Sequence, residues 1–304
     1  MNVVEPAYDL NDGGTMISRM GKRAFGGLLM LAAMMLIPVA PAFAQADFSG
    51  TWGARLQEDF TERIPGPDLG DYLGLPINAS ARQFADSWDP SRITLPEEQC
   101  RVHVSPYIYR GPLNLRIWEE RDPETQELVA IKHHISTYDQ TRTIYMDGRP
   151  HPSAIAAHTW KGFSTGRWLG DMLVVDTTHL KQGWIRRNGL PMSDRATMTE
   201  FFVRNGDVMT RMWVLRDPVY LTEPLVKSED FVLATRSLPA QNWLYECHPV
   251  VEVVRPKGVV PAYQLGKATF YKEFQDRFHI PKFAIDGGAE TMYPEFMDKL
   301  KQAK

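Results

Sequence analysis

The sequence predicts a mainly β protein: an antiparallel meander that closes into a barrel or a curved sheet, with short helices at its C-terminal end. Three observations lead there. Short runs of alternating apolar and polar residues recur from residue 113 to residue 254, the period of half-buried strands. Turn dipeptides such as Asp147-Gly148, Gly170-Asp171 and Asn205-Gly206 separate them, and these favour hairpins. Nothing in that stretch alternates strand with helix, which disfavours a βαβ fold. About eight to ten strands in series need their edges protected, and closure does that.

The elements follow in order. Arg19, Lys22 and Arg23 precede an apolar run from Leu28 to Ile37, and Ala42-Phe43-Ala44 ends it. A charged start, a short apolar middle and a small-x-small exit make a secretory signal peptide. The run is short of the ~20 residues that span a bilayer. Residues 1–44 are therefore expected to be removed, from a start at Met1, Met16 or Met20, leaving 45–304 as one β-rich domain in the periplasm or outside the cell. Asp47 to Trp52 opens it as a strand. Residues 56–100 hold Pro65, Pro67, Pro76, Pro90 and Pro96 and read as an ordered excursion. Its one helical piece, residues 78–87, is capped by Asn78 or Ser80. Residues 113–119 and 128–137 form a hairpin around Arg121-Asp122-Pro123-Glu124, and 143–146 is a short strand. Residues 167–169 and 172–178 flank Gly170-Asp171, while 197–203 and 208–215 flank Asn205-Gly206. Strands are expected at 228–234 and 243–254. From residue 267 to 301 the chain turns helical: Phe270, Phe274 and Phe278 draw one helix face, and a second helix over 290–301 is interrupted by Pro294.

Net charge is −3. Asp9, Asp12 and Glu5 leave with Arg19, Lys22 and Arg23, so the mature balance is unchanged and nothing points to nucleic acid. No span crosses a membrane in the mature chain. The two cysteines, Cys100 and Cys247, favour a disulfide over separate buried thiols in an oxidising compartment.

Several blocks resemble a family of secreted bacterial proteins without an assigned activity: Asp147-Gly148-Arg149-Pro150-His151-Pro152, Gly166 to Val175, Gly183 to Gly189, Ser193 to Glu200, and Tyr245-Glu246-Cys247-His248. The likeness spans most of the mature chain. The family's hairpin block carries a Glu where this chain has Leu169, so no role for that acid transfers. Gly50-x-Trp52 also resembles the opening of lipocalin-type barrels, which implies a calycin-like closure.

Histidines dominate the candidate chemistry. His133 shares a strand face with Val129, Ile131 and Ile135 and is expected to point inward, needing a polar partner because an unpaired buried imidazole is costly. His158, Asp147 or an arginine of the Arg186-Arg187 pair is the expected partner. The segment from Asp147 to Trp160 gathers Asp147, Arg149, His151, His158 and Trp160, the kind of polar, aromatic loop that sits at a barrel mouth. Plain turn chemistry explains it equally well. Trp184, Arg186, Arg187 and Asn188 suit an anionic or aromatic group; the bland alternative is a surface loop whose arginines pair with Asp194 and Glu200. Arg195 and Glu200 read as the polar face of a strand. No His-Glu-x-x-His, Cys-x-x-Cys, nucleophile elbow, phosphate loop or dinucleotide fingerprint occurs, so no motif points to a metal or a cofactor, and a metal would need ligands gathered from distant strands, such as His133, His158 and His179.

These features predict a periplasmic barrel acting on a small organic, aromatic or anionic molecule. Acid–base chemistry would come from His133, His158, His151 and Asp147. Arg149, Trp160, Trp184, Arg186, Arg187 and Asn188 would bind the ligand. The alternatives are a carrier using the same pocket without catalysis, and an adaptor that presents the Pro-rich excursion as a contact surface.

Overall fold

The alternation in the sequence places one face of each strand inside a closed ring. The computed structural model describes residues 45–55, 57, 66–111, 115–234 and 247–303. The leader over 1–44 lies outside the described residues, as do Pro65 and the first part of the strand expected at 243–254. The strands are β1 (Gly50–Ala54), β2 (Leu115–Arg121), β3 (Leu128–Ile135), β4 (Gln140–Tyr145), β5 (Phe163–Leu169), β6 (Met172–Thr178), β7 (Gly183–Trp184), β8 (Pro191–Met192), β9 (Thr197–Asn205), β10 (Val208–Arg216) and β11 (Leu225–Leu233). β7 and β8 form a hairpin of their own. The other nine close in sequence order, β1 joining β2 on one side and β11 on the other.

A ring with an odd number of strands cannot alternate direction all the way round. One neighbouring pair must run parallel, and here it is β4 with β5; the other neighbours in the ring are antiparallel. That parallel seam is short, with Ile144 opposite Ser164 and Tyr145 opposite Thr165. A hairpin cannot join parallel strands, so residues 146–162 cross over instead. Three expected hairpins are present: Arg121 faces Leu128, Leu169 faces Met172 across Gly170-Asp171, and Asn205 faces Val208 across Gly206-Asp207, whereas Asp147-Gly148 makes no hairpin and instead opens the crossover between parallel strands. Gly170 and Gly206 have φ of 65° and 59°, the left-handed region where a Cβ is strained.

The barrel is filled. Trp52 is fully buried, its Nε1 donating to the Phe48 carbonyl at 2.8 Å, and with Phe48, Phe202, Met209 and Phe231 it belongs to one apolar cluster. A second cluster joins Met198, Trp213, Leu215 and Leu225 to Tyr72, Leu75, Ile77, Ala81 and Ala85. These last five come from the Pro-rich excursion, which is thus part of the core rather than a free contact surface. Its helix α1 (Ala79–Asp86) is capped by Asn78, whose Oδ1 accepts from the Ala81 N–H at 3.0 Å and whose Nδ2 donates to the Val219 carbonyl at 2.8 Å. Two short turns of helix follow, α2 (Pro96–Gln99) and α3 (Ser105–Ile108).

After β11 come α4 (Phe270–Phe278), α5 (Lys282–Ile285) and α6 (Pro294–Gln302). The helix expected over 290–301 is interrupted before Pro294: a 3-10 turn covers Ala289–Met292, and α6 starts at Pro294, where a first-turn proline forfeits no hydrogen bond. Tyr271 on α4 donates to Asp86 at the end of α1. The described part of the strand expected at 243–254, residues 247–254, is irregular. It is tied down by Gln99, whose side chain donates to the Val250 carbonyl and accepts from its N–H at 2.8 and 2.7 Å. No helix among the described residues is long and apolar enough to cross a membrane.

Cys100 and Cys247 are bridged, with Cα atoms 5.5 Å apart across a sequence separation of 147. The bridge closes a loop whose entropy in the unfolded chain corresponds to about 4–5 kcal/mol. The paired change Cys100→Ser with Cys247→Ser is expected to lower the urea midpoint by a stability loss of about 2–5 kcal/mol. An unchanged midpoint would show that this loop closure does not support the fold.

Candidate functional site

The inward positions of the central strands carry charge. Along β9 the inward residues are Met198, Glu200 and Phe202; along β10 they are Met209, Arg211 and Trp213, all buried. A charged ring thus lies between two apolar layers. Glu200 accepts from Arg211 Nε at 2.7 Å and from both terminal nitrogens of Arg142, one at 2.9 Å and one closer. Arg211 also pairs with Glu229, and Arg110 lies 4.0 Å from Glu229. Arg142 donates further to Ser164, Thr177 and Tyr109. The Arg211 guanidinium sits 4.1 Å from the centroid of the Tyr109 ring. Burial alone raises the Glu200 carboxyl, and the two arginines overcome it and hold it at about 2.

His133 belongs to this ring. It points inward and is wholly buried, as its strand face predicts. Its partner is Tyr109, with Oη 2.8 Å from Nδ1, and not His158, Asp147 or the Arg186-Arg187 pair. Arg142 also donates to the Tyr109 oxygen at 3.1 Å. Nε2 has no hydrogen-bond partner among the described residues, and the ring meets Phe202 edge to face at 5.3 Å. Burial, with Arg142, pushes the imidazole down to about 3. Glu200 therefore corrects two sequence readings at once: it is no exposed strand residue, and its arginine partners are Arg142 and Arg211. Glu200, Arg211 and Glu229 lie on the inward faces of strands the sequence predicts, whereas Arg142 lies one residue before the expected strand at 143–146.

The crossover histidines are stapled to the barrel wall. His151 Nδ1 lies 2.7 Å from Thr178 Oγ1 and Nε2 lies 2.9 Å from Thr165 Oγ1; burial holds its imidazole below the ordinary value. Thr178 continues to His179, which reaches the Ser153 carbonyl at 2.9 Å. His158 Nδ1 meets the Leu180 carbonyl at 2.9 Å. Asp147 is exposed and paired with Arg149, which also lies 3.9 Å over the Tyr145 ring. Hydrogen bonds from Arg149 hold the Asp147 carboxyl low. Thus the four candidate acid–base residues do not converge. Among the described residues no three His, Cys, Asp or Glu side chains converge as metal ligands.

Arg186 and Asn188 act on the excursion. Arg186 donates to the Asp71 carbonyl at 3.2 Å, and Asn188 Nδ2 to the Asp68 and Asp71 carbonyls at 3.1 and 3.0 Å. Arg187, exposed, contributes positive charge near His103.

Trp160 and Trp184, in contrast, meet. Both line a cleft of about 330 Å³ together with Arg92, Arg101, His103 and Phe84. Trp184 packs edge to face on Trp88 at 4.7 Å, and His103 sits 5.9 Å from its ring. Arg101 and Lys181 flank Trp160 at 5.9 and 5.1 Å. Glu98 pairs with both Arg92 and Arg101, at 3.4 and 3.0 Å: two positive charges against one negative leave one positive. Burial pushes His103 down to about 4, and both charged neighbours acting on it, Arg187 and Lys161, are cations. A second cavity of about 490 Å³ shares Val102 and Trp160 with the cleft and lies along β4, lined by Thr141, Thr143, Tyr145, Lys161 and Phe163. His103, Arg92, Arg101 and Lys161 escaped sequence reasoning because they belong to no motif and lie far apart in the chain.

A larger cavity of about 760 Å³ lies among α4, α5 and α6, lined mainly by Phe278, Met292, Phe296, Met297 and Leu300. Its charged rim is neutralised locally, Lys301 by Asp298 and Asp276 by Lys272. The cleft at Trp160 is the place where aromatic walls and uncompensated positive charge coincide.

No protein-family model matches the chain, and no curated protein matches it. Two solved structures are similar in part: the fluorescent protein UnaG as wild type, with 11% identity and a TM-score of 0.26, and a single-substitution mutant of it, with 13% identity and a TM-score of 0.25. Each comparison covers 62% of this chain and 97% of the other. The fold assignment rests on the strand order of this chain itself.

The charged ring makes two predictions. Glu200→Gln leaves two buried guanidiniums short of a counter-charge and is expected to cost about 3–5 kcal/mol, read by urea unfolding. Between pH 6.5 and 3 the unfolded chain binds a proton at His133 that the folded chain refuses, so stability falls as pH falls. The Glu200 contribution is complete above pH 4.5 and is lost as pH drops toward 2. His133→Gln should remove the upper limb only, and superimposable profiles for the variant and the parent protein would show that His133 is not neutral in the fold.

Proposed function

We propose that this protein binds a small aromatic anion in the cleft between Trp160 and Trp184, as an exported carrier in the periplasm or outside the cell. The observation that carries the reading is the meeting of two indole rings with Arg92, Arg101 and a neutral His103 around one cleft. An aromatic ring stacks on indole faces, and a carboxylate takes a guanidinium in two parallel hydrogen bonds. Binding is favoured over acid–base turnover by His133, His158, His151 and Asp147, because His133 is sealed behind Tyr109 and the other three are engaged elsewhere. Export is supported by the signal-like N-terminus and by the disulfide, which persists in oxidising compartments. The secreted family resembled by the Gly183 to Gly189 and Ser193 to Glu200 blocks fits the same location.

Benzoate and benzyl alcohol separate charge from ring. Benzoate should quench tryptophan fluorescence saturably, at least about tenfold more tightly than benzyl alcohol, a difference of about 1.4 kcal/mol. Arg101→Ala should erase that difference, and Trp160→Ala should weaken both ligands. Equal affinity for the two, or no binding in the millimolar range by calorimetry, would exclude an anion site in this cleft.

A further inference from the structure

The second cavity holds a lysine whose amine is buried without a carboxylate partner among the described residues. Lys132, Lys272, Lys282 and Lys301 each face a carboxylate. Lys161 makes no ion pair among the described residues; its Nζ donates to the His103 carbonyl at 3.0 Å. It sits on the crossover, beside the part of β4 that lacks a partner on its β5 side, and it lines the cavity beside Trp160, Tyr145 and Phe163. Tyr145 and Phe163 stack with centroids 5.1 Å apart and planes 28° apart. Burial, with the Arg142 guanidinium, brings the Lys161 amine down to about 7. An ammonium without a counter-ion in a partly dry site gives up its proton readily, and the free amine is a nucleophile.

We propose that Lys161 captures the carbonyl group of an aromatic aldehyde in this cavity as a reversible imine. The Nζ lone pair forms a bond to the carbonyl carbon while the C=O π pair moves to oxygen. Transfer of a proton from nitrogen to that oxygen gives a carbinolamine. The nitrogen lone pair then expels hydroxide, which takes the remaining nitrogen proton and leaves as water. Amine and aldehyde become imine and water, with no change of oxidation state and no other reactant. The aromatic walls select an aryl group, and the shared edge at Trp160 places the positive cleft within the same ligand's surroundings. The inference draws on the proposed binding cleft for the ligand's charge, and its chemistry stands on Lys161 alone.

The test uses the full mature chain with its disulfide intact, 4-carboxybenzaldehyde as probe and cyanoborohydride to trap the imine, with peptide mass mapping as readout. At neutral pH, Lys161 should be labelled at least about tenfold faster than exposed Lys272 or Lys282. Its rate should be half-maximal near pH 7. Lys161→Met and Lys161→Arg should lose that fast adduct alone. Where neither variant folds, the position of the adduct in the unmodified protein decides. Even labelling of all lysines, or a slow Lys161, overturns the proposal. The alcohol analogue 4-carboxybenzyl alcohol separates the two readings. Fast labelling that it does not slow supports the amine and removes the binding cleft. Binding of the alcohol with Lys161 unlabelled keeps the cleft and removes the amine.

Discussion

A closed ring of nine strands must contain one parallel pair, and much of this molecule follows from that parity. The pair is β4 with β5. Its consequence is a crossover from Met146 to Gly162 in a barrel otherwise built of nearest-neighbour pairs. Because the parallel ladder covers only the end of β4, Thr141 and Thr143 have no strand partner on the β5 side and line a cavity with crossover residues Thr159 to Gly162. The gap between them is the cavity that Lys161 lines. Trp160, one residue earlier, turns toward the cleft shared with Trp184. The candidate site is thus a by-product of closure, placed where the ladder is shortest.

The second constraint is what fills the barrel. A barrel of this size encloses a ligand only if its inward residues are small or few. Here the inward positions of the central strands hold Arg142, Glu200, Arg211 and Glu229, with Tyr109 inserted from the C-terminal end of α3. Desolvating such charges is costly, and mutual pairing offsets it only when nearly every donor is used. Arg142 meets that condition through Glu200, Ser164, Thr177 and Tyr109. Such a network fixes the interior in one arrangement and leaves ligand chemistry to the outside of the wall.

The hairpins at Gly170 and Asn205, the helix capped by Asn78, the inward His133 and the disulfide were legible because each depends on local chemistry: period, turn residues, capping groups or compartment. The network was not. Two glutamates and two arginines on strands form it; Glu200 read as the polar face of its strand by composition, although alternation with Met198 and Phe202 marks it as inward, as alternation with Met209 and Trp213 marks Arg211. Period and polarity disagreed, and tertiary pairing decided for period. In the crossover, the loop rich in His and Asp was legible, but its histidines turned to Thr165, Thr178 and the Leu180 carbonyl. Of the expected binding residues, Trp160 and Trp184 line the cleft, while Arg186 and Asn188 anchor backbone. The side chains that join the two tryptophans come from the excursion and from the residues just after it, whose packing no local signal specifies.

Residues 101–104 connect these levels. Val102 lines both cavities, and His103 lines the cleft while its carbonyl receives the Lys161 amine. Cys100 fixes the start of this stretch to Cys247. At its end α3 begins, whose Ser105 carbonyl accepts from Arg211 at 3.3 Å, and Tyr109 just beyond closes on His133. A segment held covalently at one end and by the buried charged ring at the other has little freedom to drift. The wall of the cleft is therefore held for the same reason that the barrel interior is full: the stretch from Cys100 to Tyr109 both plugs the barrel and forms one face of the site.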